Sequence, residues 1–332
     1  MTRGLIIGKF YPPHLGHSRL IATALSQVDE LLVLVCHKDS QGISGETRAQ
    51  WLRDMHPEAD VRVIPDKGRH DDSKFWAEET IRYLGFSPDA VFTSESYGEA
   101  FAHFLGSKHV SVDPLRSSVP ISATQIRHDP LAHWQFLPGA VCAALVPRVC
   151  IIGAESTGST TLSQALAKHY QTAWVPEFGR THTEGRMYLP PGACWTSREF
   201  FFIAETQNRF EDDLARLANG ILICDTDSFA TCIWEERYLG VQSPQVVAAA
   251  SGRRMDLYLL TDVNIPFVQD GLRDGEHIRV AMHRRFIEEL TRLGKTYLLV
   301  SGSHEARLNA AKQSCDKVMD GVRNIFQEPP AS

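Results

Sequence analysis

Residues 4–17 read GLIIGKFYPPHLGH, and this stretch decides the fold expected of the first half of the chain. The apolar residues 5–7 predict a buried strand, since a short apolar run that ends at a glycine is typical of one. Helical spacing of apolar residues begins at Leu20. The turn between these two elements carries one lysine and two histidines, Lys9, His14 and His17.

This turn has the composition of an anion site. Pro12 and Pro13 favour an extended backbone, and Gly16 leaves the backbone uncrowded where the helix starts. The free N–H groups and the dipole of a helix N-terminus attract anions, so two imidazoles and a lysine there suit a polyphosphate. A zinc site would need further ligands at ordinary spacing, and the neighbouring sequence offers none.

The composition is that of an ordinary globular protein. The chain has 332 residues, 43% apolar and 22% charged, and its length favours two domains. A net charge of -6 argues against a general nucleic-acid binder. Without a signal peptide or a long apolar run, we expect a cytoplasmic protein that does not contact a membrane. The cysteines form no CxxC pair, and Cys36, Cys150 and Cys224, which close apolar runs, are expected to be buried small hydrophobes.

Strands and helices alternate through the first half of the chain. The apolar run at 31–36 predicts a strand that is buried on both faces. The pattern then predicts helix 47–55, strand 61–64, helix 73–84, strand 90–93, helix 97–105 and strand 109–112. This alternation indicates an α/β fold with a doubly wound parallel sheet, whose ligands lie beyond the carboxyl ends of the strands.

A second polar motif, ISATQIR at 121–127, lies near the end of this half. Ser122 is expected to cap a helix whose first turns carry Thr124 and Arg127. Hydroxyls, N–H groups and a guanidinium would then face one anion. Taken alone, the motif also describes an ordinary N-cap with a solvated arginine.

Because both motifs lie in one α/β region, residues 3–137 resemble the nucleotidylyltransferase superfamily, which is marked by HxGH after the first strand and a late ISxTxIR. The resemblance implies in-line attack of a substrate phosphate on the α-phosphorus of ATP, with release of pyrophosphate. Positioning and charge stabilisation carry such a transfer. The residues implied to hold the triphosphate are Gly8, Lys9, Phe10, His14, Gly16, His17, Ser122, Thr124 and Arg127.

Within this superfamily, GKFYPPHLGH and VFTSESYGEAFA at 91–102 are most similar to nicotinamide mononucleotide adenylyltransferases. The similarity implies that the acceptor pocket or the nucleotide is contacted by Arg48, Ser94, Glu95, Tyr97, Gly98 and Arg116. Each has a plainer interpretation: Arg48 as a solvated helix charge, for example, and Tyr97 as a packed aromatic.

The second half begins after LPGAVCAALVPR, which predicts a short packed connection between domains. A strand at 149–152 then meets a loop that fits G-x-x-x-x-G-K-[ST] except at Ser159, where lysine should stand. Thr160 can still bind magnesium through its hydroxyl. The phosphate-binding candidates of this P-loop are Gly153, Ser156, Thr157, Gly158, Ser159, Thr160 and Thr161. The predicted domains are 1–137 and 148–327, with a linker at 138–147 and a disordered tail at 328–332.

Two later segments complete the second site. The apolar run 221–224 ends in Asp225 and Asp227, so a buried strand is expected to deliver carboxylates to a magnesium ion. A capping box predicts a long helix over 197–217. A glycine-bearing polar segment at 263–279 carries Arg273 and Arg279 and suits a mobile lid.

With VPEFGR at 175–180 and QDGLR at 269–273, nearly the whole chain resembles the NadR-type bifunctional proteins, an adenylyltransferase fused to a ribosylnicotinamide kinase. The resemblance implies a Rossmann-like domain followed by a P-loop kinase domain, each with a doubly wound parallel sheet. The implied ligands are ATP with Mg²⁺, nicotinamide mononucleotide, nicotinamide riboside and NAD. Glu177 and Arg180 would bind the riboside, Asp225 or Asp227 would bind magnesium or act as base, and Arg273 and Arg279 would close on the phosphates.

Other readings stay open at this point. The loss of the lysine at Ser159 motivates an adenylyltransferase whose P-loop domain only senses nucleotides, although a lid arginine could supply the missing charge. A third reading is a regulator of NAD metabolism without turnover. Some members of the family carry a helix-turn-helix domain, but this chain begins at the first strand, so direct operator binding is not expected. The choice between monomer and homo-oligomer, and between nicotinamide and nicotinic acid forms, is left open.

Overall fold

The computed structural model describes residues 1–69, 72–190 and 192–326, and the predicted tail at 328–332 lies outside the described residues. The chain forms two compact units: residues 1–141 together with the described residues from 323 onward, and residues 142–322. The division falls inside a helix, Gly139–Leu145, within the predicted linker. The predicted domain boundaries stay a prediction.

The first unit is an α/β layer structure. Its elements are β1 (Arg3–Gly8), α1 (Leu15–Leu25), β2 (Glu30–His37), α2 (Gly45–Met55), β3 (Asp60–Pro65), α3 (Ser73–Leu84), β4 (Ala90–Thr93), α4 (Gly98–Leu105), β5 (Lys108–Ser111), α5 (Ala123–His128) and α6 (Gly139–Leu145). The five strands are parallel in the order β3-β2-β1-β4-β5, and apolar clusters cover both faces of the sheet. This topology places the order reversal beside β1, where a ligand crevice forms.

Helix α1 begins five residues before the first residue of the helical apolar pattern. His14 is its N-cap: its ring accepts from the Gly16 N–H, while the ring of His17 accepts from the His14 N–H. This reciprocal capping starts the helix at Leu15, before any apolar periodicity is visible. The two histidines of the motif therefore shape the turn as well as lining it.

The second unit is also α/β. Its elements are β6 (Arg148–Gly153), α7 (Ser159–Tyr170), β7 (Trp174–Val175), α8 (Phe178–Arg186), α9 (Ser197–Ala215), β8 (Leu222–Asp225), α10 (Ser228–Leu239), α11 (Pro244–Ala250), β9 (Leu257–Thr261), α12 (Arg279–Arg292), β10 (Tyr297–Val300) and α13 (His304–Arg323). The parallel sheet has the order β10-β9-β6-β8-β7. Its order reverses beside β6, which carries the P-loop. The predicted α/β fold with two doubly wound parallel sheets is confirmed.

Two helices of the second unit differ from the sequence pattern. Helix α9 opens with the predicted capping box of Thr196 and Glu199 but ends at Ala215. Helix α10 was not predicted, because it is buried over most of its surface and therefore lacks an amphipathic stripe. In the described part of the chain, no helix combines the length and apolarity needed to cross a membrane.

Candidate active sites

The first unit has a cavity of about 490 Å³ at the carboxyl ends of its strands. The loops after β1, β4 and β5 and the start of α5 line it, so the two motifs at opposite ends of the unit meet in space. The sequence candidates that line it are Gly8, Lys9, Phe10, His14, Gly16, His17, Ser94, Glu95, Tyr97, Arg116, Ser122, Thr124 and Arg127.

The two histidines are held as neutral hydrogen-bond donors. Nδ1 of His14 accepts from the Gly16 N–H at 3.1 Å, and Nδ1 of His17 accepts from the His14 N–H at 3.2 Å. Each ring therefore carries its hydrogen on Nε2. Burial, and then the charge of Arg116, lower the pKa of His14 to about 4. Burial also holds the pKa of His17 well below its usual value, so both rings are neutral at pH 7.

Gly16 is required by this arrangement. A Cβ at Gly16 would lie 2.9 Å from Cε1 of His14, closer than real contacts allow. The glycine of HxGH thus makes room for the imidazole that caps its own helix.

Three of the cations that line this cavity are held in place by neighbouring groups. Arg127 donates to the Tyr11 carbonyl at 2.6 Å and to the Thr124 hydroxyl at 3.1 Å, while Ser122 caps α5. Arg116 pairs with Glu95 at 2.8 Å. The ammonium of Lys9 lies 3.6 Å from the buried carboxylate of Asp66. Neutral N–H donors flanked by fixed cations form a site that can stabilise a polyphosphate.

Two residues predicted to contact the acceptor or the nucleotide, Arg48 and Gly98, do not line the cavity. Arg48 is fully buried and is absent from the cavity wall, so it is neither a pocket residue nor the solvated helix charge of the plainer interpretation. Its guanidinium donates to backbone carbonyls, including that of Lys9, and to the Gln41 side chain. Gly98 lies at the start of α4, where a Cβ would collide with Thr93 and His109. Both residues therefore shape the backbone next to the cavity: Arg48 binds the Lys9 carbonyl, and Gly98 packs against Thr93.

Other wall residues of this cavity were not predicted. They include Arg19, Asp66, Trp76 and Asp113. Asp66 and Asp113 follow β3 and β5, so the rule that ligands lie beyond strand ends was a signal that could have found them. Trp76 lies in the first turn of α3, and no sequence rule assigns that position to the cavity.

The second unit has a smaller cavity of about 160 Å³ around the P-loop. The predicted residues that line it are Gly153, Ser156, Ser159, Thr160, Glu177, Arg180, Asp225 and Arg273. The loop after β6, the end of β8 and the segment before α12 thus meet at one place.

The second cavity contains two carboxylates with raised pKa values, the buried Asp225 and the half-buried Glu177. Burial raises the pKa of Asp225 to about 6, although a hydrogen bond with Thr160 acts in the opposite direction. Burial and the charge of Asp225 raise the pKa of Glu177 to about 7. The Thr160 hydroxyl and the Asp225 carboxylate are hard oxygen donors side by side, which fits magnesium bound together with phosphates.

Several P-loop candidates are structural. Thr157 is buried and donates to the Ala154 carbonyl at 2.6 Å, while Gly158 and Thr161 are not part of the cavity wall. Arg279 is also buried, and it donates to the carbonyls of Ser156 and Ile265 at 3.4 and 3.0 Å. Its predicted position in a mobile lid is wrong, because it is the first residue of α12.

Asp227 does not reach the cavity. Its carboxylate accepts from the Ala230 N–H at 2.9 Å and from the Tyr258 hydroxyl at 2.6 Å, so it caps α10 and binds β9. Thr226 between the two aspartates has φ +67, and this turn sends their side chains to different places. Of the two predicted carboxylates, Asp225 alone lines the cavity.

The sequence also missed part of this wall. Glu155 and Gln207 line it, together with a group of aromatic side chains, Trp195, Phe200, Trp234 and Tyr238. The aromatic residues come from the segment before α9, from α9 and from α10. Trp234 and Tyr238 are four residues apart on one face of α10, but only the packing of the helices brings Trp195 and Phe200 beside them.

Known families match the two halves of the chain separately. A cytidylyltransferase-like family matches residues 5–129, and an AAA domain family matches residues 148–307. A nicotinamide-nucleotide adenylyltransferase of Caldivirga maquilingensis is 51% identical over 35 residues, which are 10% of this chain and 20% of that protein. The first cavity lies within the first match and the second cavity within the other.

Solved structures show a shared architecture. A crystal structure of NadR protein in complex with NR has a TM-score of 0.72 and 20% identity, over 96% of both chains. One of NadR protein in complex with NAD and AMP-PNP has a TM-score of 0.67 at the same identity and coverage. These similarities show the fold.

Two relatives match over most of the chain. The trifunctional NAD biosynthesis/regulator protein NadR of Escherichia coli is 32% identical over 294 residues, which are 82% of this chain and 72% of that protein. The protein of the same name from Salmonella typhimurium is 31% identical over 292 residues, 81% of this chain and 71% of its own. The chain belongs to the NadR family.

Proposed function

We propose that the chain makes NAD from nicotinamide riboside in two ATP-dependent steps. The second unit phosphorylates the riboside, and the first unit transfers AMP from ATP to the resulting nicotinamide mononucleotide, releasing pyrophosphate. Membership of a family named for NAD biosynthesis supports this proposal, as do the solved relatives that bind NR or NAD with AMP-PNP.

One observation carries the adenylyl-transfer step: the HxGH turn and the start of α5 line one cavity. In the proposed reaction, a phosphate oxygen of the mononucleotide attacks the α-phosphorus of ATP. Nε2–H groups of His14 and His17 donate to the phosphate oxygens, and Lys9, Arg116 and Arg127 stabilise their negative charge. Fixed donors aimed at developing charge account for most of the rate in such transfers.

The carboxylates of the second cavity support the kinase step. Asp225 and Thr160 would hold the magnesium ion of MgATP, which supplies charge neutralisation between the phosphates. Glu177 lies in the same cavity, and a pKa of about 7 suits it to accept the proton of the riboside hydroxyl. Arg180 and Arg273 are the cations that face this ligand.

Mass spectrometry of the products tests both steps. Purified protein with nicotinamide riboside, ATP and magnesium should form the mononucleotide and then NAD, and with mononucleotide and ATP it should form NAD and pyrophosphate. Removal of magnesium by a chelator should stop the first of these conversions. Absence of NAD and pyrophosphate in the second incubation would overturn the proposal.

A specific observation favours one alternative, an active adenylyltransferase with a P-loop unit that only senses nucleotides. Ser159 lines the second cavity where the lysine of a P-loop would stand. Conversion of riboside to mononucleotide by the wild-type protein, together with its loss in Asp225→Ala, would exclude this alternative. Nucleotide binding without any riboside turnover would favour it.

A further inference from the structure

The second cavity lacks the usual phosphate-binding lysine, so its positive charge must come from elsewhere. In the described part of the chain, its wall contains two cations, Arg180 and Arg273. Two neighbouring guanidiniums are committed to the loop backbone instead: Arg279 donates to the Ser156 carbonyl, and Arg307 donates to the Thr157 carbonyl at 2.6 Å. Two arginines thus donate to the P-loop backbone, and two others line the cavity beside the loop.

The segment that carries Arg273, residues 268–275, is fastened to the P-loop at both ends. The Ser156 hydroxyl accepts from the Val268 N–H at 2.8 Å. The Glu155 carboxylate accepts from the N–H groups of Asp274 and Gly275 at 3.0 and 3.2 Å, one on each oxygen. Gly275 has φ +131, a conformation open to glycine, and this geometry lets two successive N–H groups meet one carboxylate.

Further contacts hold this segment, which we call the strap, from its other side. Asp274 accepts from the Tyr238 hydroxyl at 3.0 Å and pairs with Arg237 at 3.2 Å. Asp270 lies 2.9 Å from Arg180 and 3.4 Å from Arg273, so one carboxylate joins the two cations of the cavity. Hydrogen bonds to Ser156 and Glu155 therefore hold the strap against the P-loop.

We propose that Arg273 replaces the missing P-loop lysine, and that Glu155 is the positioning residue that holds Arg273 there through the strap. A guanidinium can bind phosphate oxygens through two parallel hydrogen bonds, which a serine hydroxyl at position 159 cannot replace. The phosphates of ATP would displace Asp270 as the ion-pair partner of Arg273, whose guanidinium also donates to the Val268 carbonyl within the strap. This inference rests on the proposed kinase activity and assigns its source of positive charge.

A double-mutant cycle on the full-length protein tests the inference. Arg273→Ala should lower kcat/KM for ATP in riboside phosphorylation about 100-fold, and Glu155→Gln should lower it about tenfold. If Glu155 acts through Arg273, the double variant should be no worse than Arg273→Ala alone. Multiplication of the two effects would overturn the positioning role. Glu305→Ala, an exposed change in α13, is the control.

Restoring the lysine tests the replacement directly. Ser159→Lys in the Arg273→Ala background should recover at least tenfold of the lost kcat/KM, while in the wild-type background it should change kcat/KM less than threefold. No recovery in the first background, or a gain of several orders of magnitude in the second, would show that Arg273 does not do the work of the lysine.

Two measurements keep the inference apart from the proposed function. Hydrogen exchange should show faster exchange of the Asp274 and Gly275 amides in Glu155→Gln, whether or not the protein turns over riboside. If the wild type lacks riboside kinase activity, the proposed function fails, and AMP-PNP affinity replaces kcat/KM in the cycle. Unchanged exchange, or unchanged affinity in Arg273→Ala, would overturn the inference.

Discussion

The two cavities occupy equivalent places in two parallel sheets, yet their electrostatics are opposite. In the first, His14 and His17 are neutral because burial lowers their pKa values. In the second, the pKa values of the half-buried Glu177 and the buried Asp225 are raised. The same physical cause, loss of solvation, removes a positive charge from one site and weakens a negative charge in the other.

The two cavities therefore suit different reactions. The first presents neutral N–H donors and fixed cations, which suits a reaction in which both partners are phosphates. The second presents carboxylates beside a P-loop, which suits a metal ion and a hydroxyl that must lose a proton. The turn after β1 keeps its motif intact, whereas the loop after β6 has lost its lysine at Ser159.

We expect the largest change in rate when one imidazole of the first cavity is removed. His17→Ala should lower the rate of NAD formation from mononucleotide and ATP about 10²–10³-fold, because one preorganised donor to the phosphates is lost. Riboside phosphorylation in the same protein should be unchanged. The exposed residue His103 on α4 supplies a matched control, His103→Ala. An equal fall in both activities would instead indicate unfolding.

The converse test replaces the two aspartates of the second unit and measures the loss of riboside phosphorylation. Asp225→Asn should lower riboside phosphorylation at least about 100-fold while leaving adenylyl transfer intact, because the proposed buried ligand of magnesium is lost. Asp227→Ala should act on stability, costing about 1–3 kcal/mol through the cap of α10 and the bond to Tyr258. Kinase rates and thermal unfolding of both variants distinguish the roles. A normal kinase rate in Asp225→Asn would refute its assignment.

Acid should affect the two units in opposite directions. The pKa of His14 falls from 6.5 to about 4 on folding, so the folded state binds fewer protons and the first unit loses roughly 3 kcal/mol as pH falls from 6.5 to 4. Glu177 rises from 4.5 to about 7, so the second unit gains stability as pH falls through that window.

The measurement is residual activity after heating at pH 5 and at pH 7, with both reactions assayed afterwards at one neutral pH. Adenylyl transfer should be lost at a lower temperature at pH 5 than at pH 7, and kinase activity should not follow it. Parallel loss of both activities at pH 5 would contradict the opposite electrostatics of the two cavities.

The smallest expected effect concerns the support of the first cavity. Arg48→Met should lower the free energy of unfolding by about 1–3 kcal/mol, because buried carbonyls lose their donor. Its effect on KM for the mononucleotide should be smaller than that of Arg116→Ala, which removes a wall residue. Thermal unfolding and initial rates would show this. A larger rise of KM in Arg48→Met would place Arg48 in contact with the ligand.

Much of the fold was readable from local patterns. The bounds predicted for one helix, 73–84, agree with α3. The apolar run at 31–36 lies within β2, and the run at 221–224 overlaps β8 from Leu222 onward. Both glycine-bearing turns follow the first strand of their unit, as the rule for parallel sheets requires. Periodicity and turn chemistry depend on neighbours within a few residues, so a sequence displays them openly.

Local sequence patterns were therefore enough to predict the two parallel sheets, the HxGH turn, the start of α5 and the P-loop without its lysine. Tertiary structure alone decided that Asp225 lines a cavity while Asp227 binds Tyr258, and that Arg48 and Arg279 brace loops from behind. It also decided the neutral imidazoles and the strap bound by Glu155. Burial and long-range hydrogen bonds join residues as many as 150 positions apart, and no local pattern records which of them meet.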